Sequence, residues 1–359
     1  MRIAHVVHSF YPVVGGIERA VFEVANRLSR RHRVSVLTSG PKPEGLLPFR
    51  VIRVPSVRLG FPDLTLPLRG SEELREADVV HFHSQNSLFS FSLLRRARNS
   101  VFTLMAVDSL RDHPNRFIRA LSPPYSLLTT RRAVRSARRL VVKNSRDLEL
   151  VRRKFGVSPI LIPDGVDESY LSQGRSDQWS SKVDGKYIVY VGRLHRLKGV
   201  EVLMEASKWV RAKVVFVGPG DADHYRRLAE RMGLKNRVIF TGFLDEREKR
   251  TVIDGSELVV IPSLSHYVEA FSITLSEAWS RGKAVVASNV GSLSTRIRSG
   301  VNGVLVNPGD PLALSRAINE LLQNQEARER MGEKGREEVV TWDEVVSMLE
   351  GVYEEVAST

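Results

Sequence analysis

Apolar residues in this chain fall mostly into short unbroken runs, separated by longer stretches in which they recur every three or four positions. The runs Arg2–Val7, Arg33–Thr38, Val51–Val54, Asp78–Phe82, Ser100–Leu104, Arg139–Val142 and Pro159–Ile162 predict a first series of strands. Between them, Gly16–Ser29, Gln85–Arg96 and Ser145–Phe155 have helical periodicity. After a polar, loop-like stretch at about Ser169–Gly185, a second series follows: Tyr187–Val191, Lys213–Val217, Arg237–Phe240, Glu257–Ile261, Lys283–Ala287 and Gly303–Val306. Continuous Val/Ile/Leu runs, unlike alternating ones, indicate strands buried on both faces, hence parallel sheets covered by helices. The pattern predicts two doubly wound α/β domains, 1–166 and 167–341, joined near Ile162–Asp167. In the closing segment 342–359, apolar residues at Trp342, Val345, Val346, Leu349, Val352 and Tyr353 form a helical stripe suited to packing.

Composition agrees with two cores, since 359 residues exceed one ordinary domain, and 42% hydrophobic with 26% charged residues is globular. No apolar run approaches the roughly 20 residues that cross a bilayer. The N-terminal stretch is interrupted by His5, His8 and Pro12 and does not read as a signal peptide. The absence of cysteine excludes disulfides, thiolate nucleophiles and Cys-based metal sites, and fits a cytoplasmic protein.

Charge changes the picture more. The net charge is +13, and between Arg95 and Lys154 there are 16 Lys or Arg against only Asp108, Asp112, Asp147 and Glu149. So concentrated a field calls for a polyanionic partner. Pro123-Pro124 is expected to break this region and open a helix at about Tyr125. On that helix Arg131, Arg132, Arg135, Arg138 and Arg139 would share an arc of about 120°. Ser126, Thr130, Ala133, Val134 and Ala137 would lie opposite, with Leu127 and Leu128 near the basic face. An anionic membrane surface is the expected partner of that face. No aromatic-rich RNA motif accompanies the arginines, and no nucleic acid is expected.

The candidate chemistry centres on Glu269 and Glu277. Leu258–Ile261 reads as a buried strand ended by Pro262 and Ser263; Ser272 or Thr274 can cap a helix running to about Arg281, where Gly282 stops it. Spacing alone would leave two surface acids, but this context puts Glu269 in the loop at a strand's carboxyl end and Glu277 inside the next helix. Parallel sheets bind ligands at such ends. The backbone N–H groups from about Phe271 through Ser272 to Ile273 favour a diphosphate. A carboxylate at Glu277 suits a ribose diol, and Glu269 can reach a transferred sugar. Arg193 and Lys198, after another strand, suit a pyrophosphate leaving group. Gly15-Gly16 ends the first strand and lets backbone approach phosphate or sugar.

Several motifs stand in order: Tyr11-Pro-Val-Val-Gly-Gly-Ile-Glu18, Asp78-Val-Val-His-Phe-His83, Ile162-Pro-Asp-Gly-Val-Asp167 and Tyr190-Val-Gly-Arg-Leu-His-Arg-Leu-Lys-Gly199. Phe216-Val-Gly-Pro-Gly220, Val238-Ile-Phe-Thr-Gly242, the Glu269–Glu277 block and Gly303-Val-Leu-Val-Asn-Pro-Gly-Asp310 follow. Together they resemble the retaining glycosyltransferases of family 4, over nearly the full length. The resemblance implies the GT-B fold, two Rossmann-like domains facing across a cleft. The first would bind the acceptor, the second the nucleotide-sugar donor, and the final helix would cross back to the first. It assigns the diphosphate to Arg193 and Lys198, the ribose to Glu277, the donor sugar to Glu269 and the base to the backbone around Gly242 and Phe243. No metal and no cofactor beyond the nucleoside-diphosphate sugar are expected, since Arg193, Lys198 and the helix N-terminus can replace an ion electrostatically.

Three stretches depart from the family pattern. Met105 stands where a His commonly faces the transferred sugar, leaving His83, Asp108 and His113 as nearby substitutes on the acceptor side. His81 and His83 are read as facing opposite sides of their strand, at least one of them packed. Gly291-Ser292 replaces a Gly-Gly loop, with Thr295 and Arg296 where a Glu often follows, and Ala270 and Ser272 flank Phe271 where glycines are common. The expectation is a metal-independent hexosyltransferase acting on a hydroxyl acceptor, such as a phospholipid or polyprenol-linked glycan at the inner membrane face. A nucleotide-sugar epimerase, a catalytically impaired sugar-nucleotide- or lipid-binding homologue, and a nucleic-acid-binding α/β protein are the alternatives.

Overall fold

The computed structural model describes the chain except residues 14, 42–44, 60–63, 71, 114, 173–178, 180–182 and 359. Val14 of the first motif and much of the polar stretch 169–185 therefore lie outside the described residues. The chain divides into two compact units, Met1–Gly165 with Val340–Thr359, and Val166–Val339.

The first unit contains β1 (Arg2–Val6), α1 (Gly16–Leu28), β2 (Arg33–Thr38), β3 (Arg50–Arg53), β4 (Ser56–Arg58), β5 (Thr65–Pro67) and α2 (Glu73–Glu76). There follow β6 (Val79–His83), α3 (Leu88–Leu93), β7 (Ser100–Leu104), α4 (Arg116–Ser136), β8 (Arg139–Val142), α5 (Ser145–Phe155) and β9 (Ile160–Leu161). Seven strands form one sheet in the order β3-β2-β1-β6-β7-β8-β9, with every pair parallel. The short antiparallel β4–β5 pair was not foreseen; with three residues per strand it carries too little periodicity to read.

The two faces of the sheet carry separate cores, one around Val7, Val21, Val36 and Val101, the other around Val6, Phe82, Phe102 and Val142. Successive strand residues point to opposite faces, so unbroken apolar runs feed both. The C-terminal helix Trp342–Ala357 completes the first core with Trp342, Val345, Val346, Leu349, Val352 and Tyr353. A capping box between Thr341 and Glu344 starts it, and Arg27 Nε donates to Asp343 Oδ1 at 2.9 Å.

The second unit contains β10 (Tyr187–Val191), α6 (Val200–Ala206), β11 (Lys213–Val217), α7 (Ala222–Arg231), β12 (Val238–Gly242), α8 (Glu246–Gly255) and β13 (Val259–Ile261). It continues with α9 (Ile273–Ser280), β14 (Val285–Ser288), α10 (Leu293–Arg296), β15 (Val304–Val306), α11 (Pro311–Gln323) and α12 (Gln325–Arg336). Its six-stranded sheet has the order β12-β11-β10-β13-β14-β15, again parallel throughout. Strand order reverses between β10 and β13 here, and between β1 and β6 in the first unit. At such a switch point the flanking loops part, leaving a crevice at the carboxyl ends of the strands.

Two expectations about the basic segment are corrected. The helix does not open at Tyr125: α4 runs from Arg116 through both Pro123 and Pro124 to Ser136. Pro123 cannot donate to the Arg119 carbonyl four residues back, and Ser122 Oγ donates to it instead at 2.9 Å. Asn115 caps the start, accepting from the amides of Phe117 and Ile118. The five arginines do not share one face, because the helix ends at Ser136. Arg138 lies in the connection and Arg139 begins β8, ion-paired with Glu355. Arg132 is half-buried, with its guanidinium 4.6 Å from the Phe91 ring centroid.

Candidate functional site

At the switch point of the second unit, the loop after β10 is pressed onto the loop after β13. Leu264 N–H donates to Leu197 O at 2.9 Å, and Gly199, at φ +75°, leaves no room for a side chain: a Cβ there would lie 1.8 Å from Pro262 O. This junction brings Lys198 to Glu269. Lys198 Nζ donates to Glu269 Oε1 at 2.7 Å and to Val268 O at 2.9 Å, while Ser263 Oγ donates to the same carboxylate oxygen at 2.6 Å. Glu269 is only 2% exposed, so the lysine and the serine hold its charge inside the protein.

Arg193 lies on the same loop and its residue is exposed. Its carbonyl accepts from Tyr190 Oη at 2.6 Å. The Tyr190 hydroxyl is held well above the ordinary tyrosine range, chiefly by burial and next by the negative Glu269. One buried phenol thus senses both residues. Gly291, at φ +55°, backs the Glu269 loop so closely that a Cβ would meet Glu269 O at 2.2 Å.

The start of α9 follows. Thr274 Oγ1 donates to Val191 O at 3.2 Å, tying the first turn of this helix to the end of β10. Ser272 occupies the N-cap position without a side-chain cap bond. Its own amide, one of the three expected to face an anion, donates to Ser292 Oγ at 3.3 Å. Arg296 donates to Ser272 O at 3.0 Å and to Ser276 Oγ at 2.7 Å, and its guanidinium carbon lies 4.0 Å from the Phe271 ring centroid. The departures Ser292 and Arg296 therefore both brace the turn Phe271–Ile273. Glu277, deeper in α9 and 2% exposed, accepts from Lys249 Nζ of α8 at 2.9 Å. At the end of β12, Gly242 adopts φ +75° and Phe243 is 68% exposed.

Lys249 and Ser263 were missed in the sequence, and Arg296 was noted there only as a departure from the family pattern. Lys249 had a readable signal: it falls on the apolar face of α8, three and four positions before buried Val252 and Ile253. A cation on that face needs a buried acid. Ser263 had none, because its contact with Glu269 is defined only by loop shape, and the role of Arg296 was hidden because its partners lie 20 and 24 residues away.

In the first unit, Gly15 caps α1 in extended backbone, and the Glu18 carboxylate lies where a side chain on Gly15 would. His81 and His83 do not face opposite sides. Residues two apart on a strand share a face, and the rings stack with centroids 4.2 Å apart. Both are buried, so neither is an open surface group. His83 Nε2 is 3.1 Å from His5 Nδ1; His81 is 2.6 Å from Tyr353 Oη and 2.7 Å from Thr103 Oγ1. Burial lowers the pKa of all three histidines, and their mutual repulsion together with Lys143 lowers His81 and His83 further. They form a neutral hydrogen-bonded network. Asp108, at φ 62° after β7, is ion-paired with Lys154. Met105 is fixed by its backbone, whose N–H donates to Gln85 Oε1 at 2.8 Å and whose carbonyl accepts from Gln85 Nε2 at 2.9 Å. Asp164 forms a buried ion pair with Lys143 at 2.8 Å.

Two doubly wound parallel units, the second with paired cation and carboxylate at its switch point, make the architecture of a GT-B glycosyltransferase. The family described as Glycosyl transferases group 1 matches residues 175–338, and Glycosyltransferase Family 4 matches residues 14–170. The O-antigen chain mannosyltransferase C of Escherichia coli is 27% identical over 370 residues, covering 98% of each chain. The phosphatidyl-myo-inositol mannosyltransferase of Mycobacterium tuberculosis (strain H37Rv) is 29% identical over 390 residues, covering 100% of this chain and 98% of its own. Anabaena HepE in complex with UDP-glucose has the same fold, with a TM-score of 0.77 at 19% identity over 99% of this chain and 100% of its own. The chain belongs to the group 1/family 4 glycosyltransferases. Among the described residues, no helix is long and apolar enough to cross a membrane.

Proposed function

We propose that the protein moves a hexosyl unit from a nucleoside-diphosphate sugar to a hydroxyl acceptor, retaining the anomeric configuration and using no metal ion. The anomeric carbon passes from a diphosphate oxygen to the acceptor oxygen, with release of nucleoside diphosphate and a proton. The observation that carries the reading is the Lys198–Glu269 pair at the β10/β13 switch point, with Arg193 exposed beside it. Arg193, Lys198 and the turn Phe271–Ser272–Ile273 stabilise charge growing on the diphosphate, where a metal-dependent transferase would place an ion. Glu269 meets the transferred sugar, Glu277 takes the ribose diol, and the backbone at Gly242 with the exposed Phe243 ring seats the base. Gly15 and Gly16 approach donor phosphate or sugar, and His83 and Asp108 belong to the acceptor side.

HepE was solved with UDP-glucose, which favours a nucleotide sugar as donor. The mycobacterial relative is named for a phosphatidyl-inositol acceptor, and the local excess of positive charge here fits an anionic membrane. The acceptor is accordingly a lipid-linked hydroxyl at the cytoplasmic membrane face. Thermal melts against UDP, GDP and ADP sugars, followed by transfer of labelled sugar with and without lipid acceptor, test the reading. A donor that raises the melting temperature and is consumed only with acceptor supports it. Donor turnover without acceptor indicates an epimerase, and binding without turnover an impaired homologue.

A further inference from the structure

The helix α4 packs with its polar side inward. Its buried positions are Ser122, Ser126, Thr129, Thr130 and Ala133. Its large apolar side chains are outside: Phe117, Leu121 and Leu128 are 75%, 68% and 61% exposed. Phe117, Leu121, Pro124, Leu128, Arg131 and Arg135 fall within an arc of about 80° at 100° per residue, opposite the buried set. They make one ridge, apolar for its first three turns and cationic for its last. The helix contains Arg116, Arg119, Arg131, Arg132 and Arg135 and no acidic residue.

We propose that this ridge is an interfacial anchor, with Phe117, Leu121 and Leu128 sinking into the headgroup–acyl boundary of an anionic bilayer. Arg116, Arg119, Arg131 and Arg135 stay at the level of the lipid phosphates. The proposal rests on the membrane-facing part of the proposed function and adds that attachment is apolar as well as electrostatic. Charge selects the occupant. A second copy docked ridge to ridge would set like-charged arginines against one another, whereas an anionic lipid surface satisfies arginines and apolar groups together. Exposed large apolar groups on a helix whose inner face is hydroxylated also fit a lipid boundary, where the usual inside-out sorting is relaxed.

Cosedimentation with vesicles of phosphatidylcholine alone, and of equal parts phosphatidylcholine and phosphatidylglycerol, tests the proposal at about 0.05 M and about 0.5 M salt. The parent protein is expected to bind the anionic vesicles and to keep a substantial bound fraction at the higher salt. Phe117→Ser/Leu121→Ser/Leu128→Ser should lower that salt-resistant binding about tenfold. Arg131→Gln/Arg135→Gln should lower chiefly the salt-sensitive part. In Phe117→Trp, emission should shift to the blue on anionic vesicles and be quenched by lipids brominated near the headgroup. Complete release of the parent by salt, unchanged binding of the triple variant, or an unshifted Trp overturns the anchor. So does a dimer of the parent that the triple variant disperses without change in vesicle binding. Melts of the parent with nucleotide sugars separate the two readings: donor binding without vesicle binding sinks the anchor alone, and the reverse sinks the transferase reading alone.

Discussion

Lys198 Nζ and Glu269 Oε1 are bound to each other at 2.7 Å, so the cation and the carboxylate assigned to opposite ends of the donor's glycosidic bond are one electrostatic unit. Arg193, two residues past the end of β10, is exposed. The two cations therefore separate in their effects. Arg193→Ala should lower turnover about a hundredfold, the loss expected for one donor to a developing anion, with an unchanged melting temperature. Lys198→Ala should lose at least as much turnover and also about 3 kcal/mol of stability, because Glu269 stays buried without its cation. Adding Glu269→Gln should recover stability but not turnover. Donor-consumption assays and thermal melts check this, and near-normal turnover in both single variants removes the assignment.

Lys249 holds Glu277 at 2.9 Å from another helix and is itself largely buried. In the proposed reading a ribose diol binds Glu277 only if the carboxylate is already oriented, which the lysine secures. Lys249→Met should weaken nucleotide binding about tenfold and cost about 3 kcal/mol of stability. Calorimetric titration of the matching nucleoside diphosphate measures the first and denaturant unfolding the second. Nucleotide affinity equal to the parent's would leave Lys249 a purely structural residue.

Arg296 grips the turn Phe271–Ile273 through two hydrogen bonds and stacks 4.0 Å from the Phe271 ring. A lysine has the charge but neither the planar fork nor the stacking face. Arg296→Lys should therefore behave like Arg296→Ala, with KM for the donor raised about tenfold and kcat changed much less. Full rescue by lysine would show that only the positive charge matters.

The sheets were legible because unbroken Val and Ile runs such as Val214–Val217 and Val285–Val286 cannot be half-exposed. The loop acids were legible because Pro262 and Gly282 punctuate the segment that carries them. What escaped depends on distance along the chain: Lys249 meets Glu277 across 28 residues, and Tyr353 meets His81 across 272. The prolines of α4 misled because a helix break is only a local preference, which Ser122 and the packing of Thr129 and Ala133 override. His81 and His83 were misplaced by an error of period: two residues complete the strand repeat and restore the same face.

The histidine network sets the stability of the first unit in acid. His5 is depressed by burial to about 3, and His81 and His83 are also held well below 6.5 by burial. In the unfolded chain each titrates near 6.5. Between that value and the folded-state values the unfolded chain binds more protons, so stability rises with pH. The contribution is complete above about pH 6.5 and is lost as pH falls toward 3, at up to about 1.4 kcal/mol per pH unit for each histidine. Asp147, raised to about 6 by burial, opposes it: the folded chain binds its proton more tightly between about pH 4 and 6. Asp147→Asn should therefore steepen the acid loss, and His5→Gln should shallow it by about one proton's worth. Denaturant unfolding from pH 5 to pH 7 measures both slopes. Equal slopes in parent and His5→Gln would mean that this histidine is already charged in the folded protein.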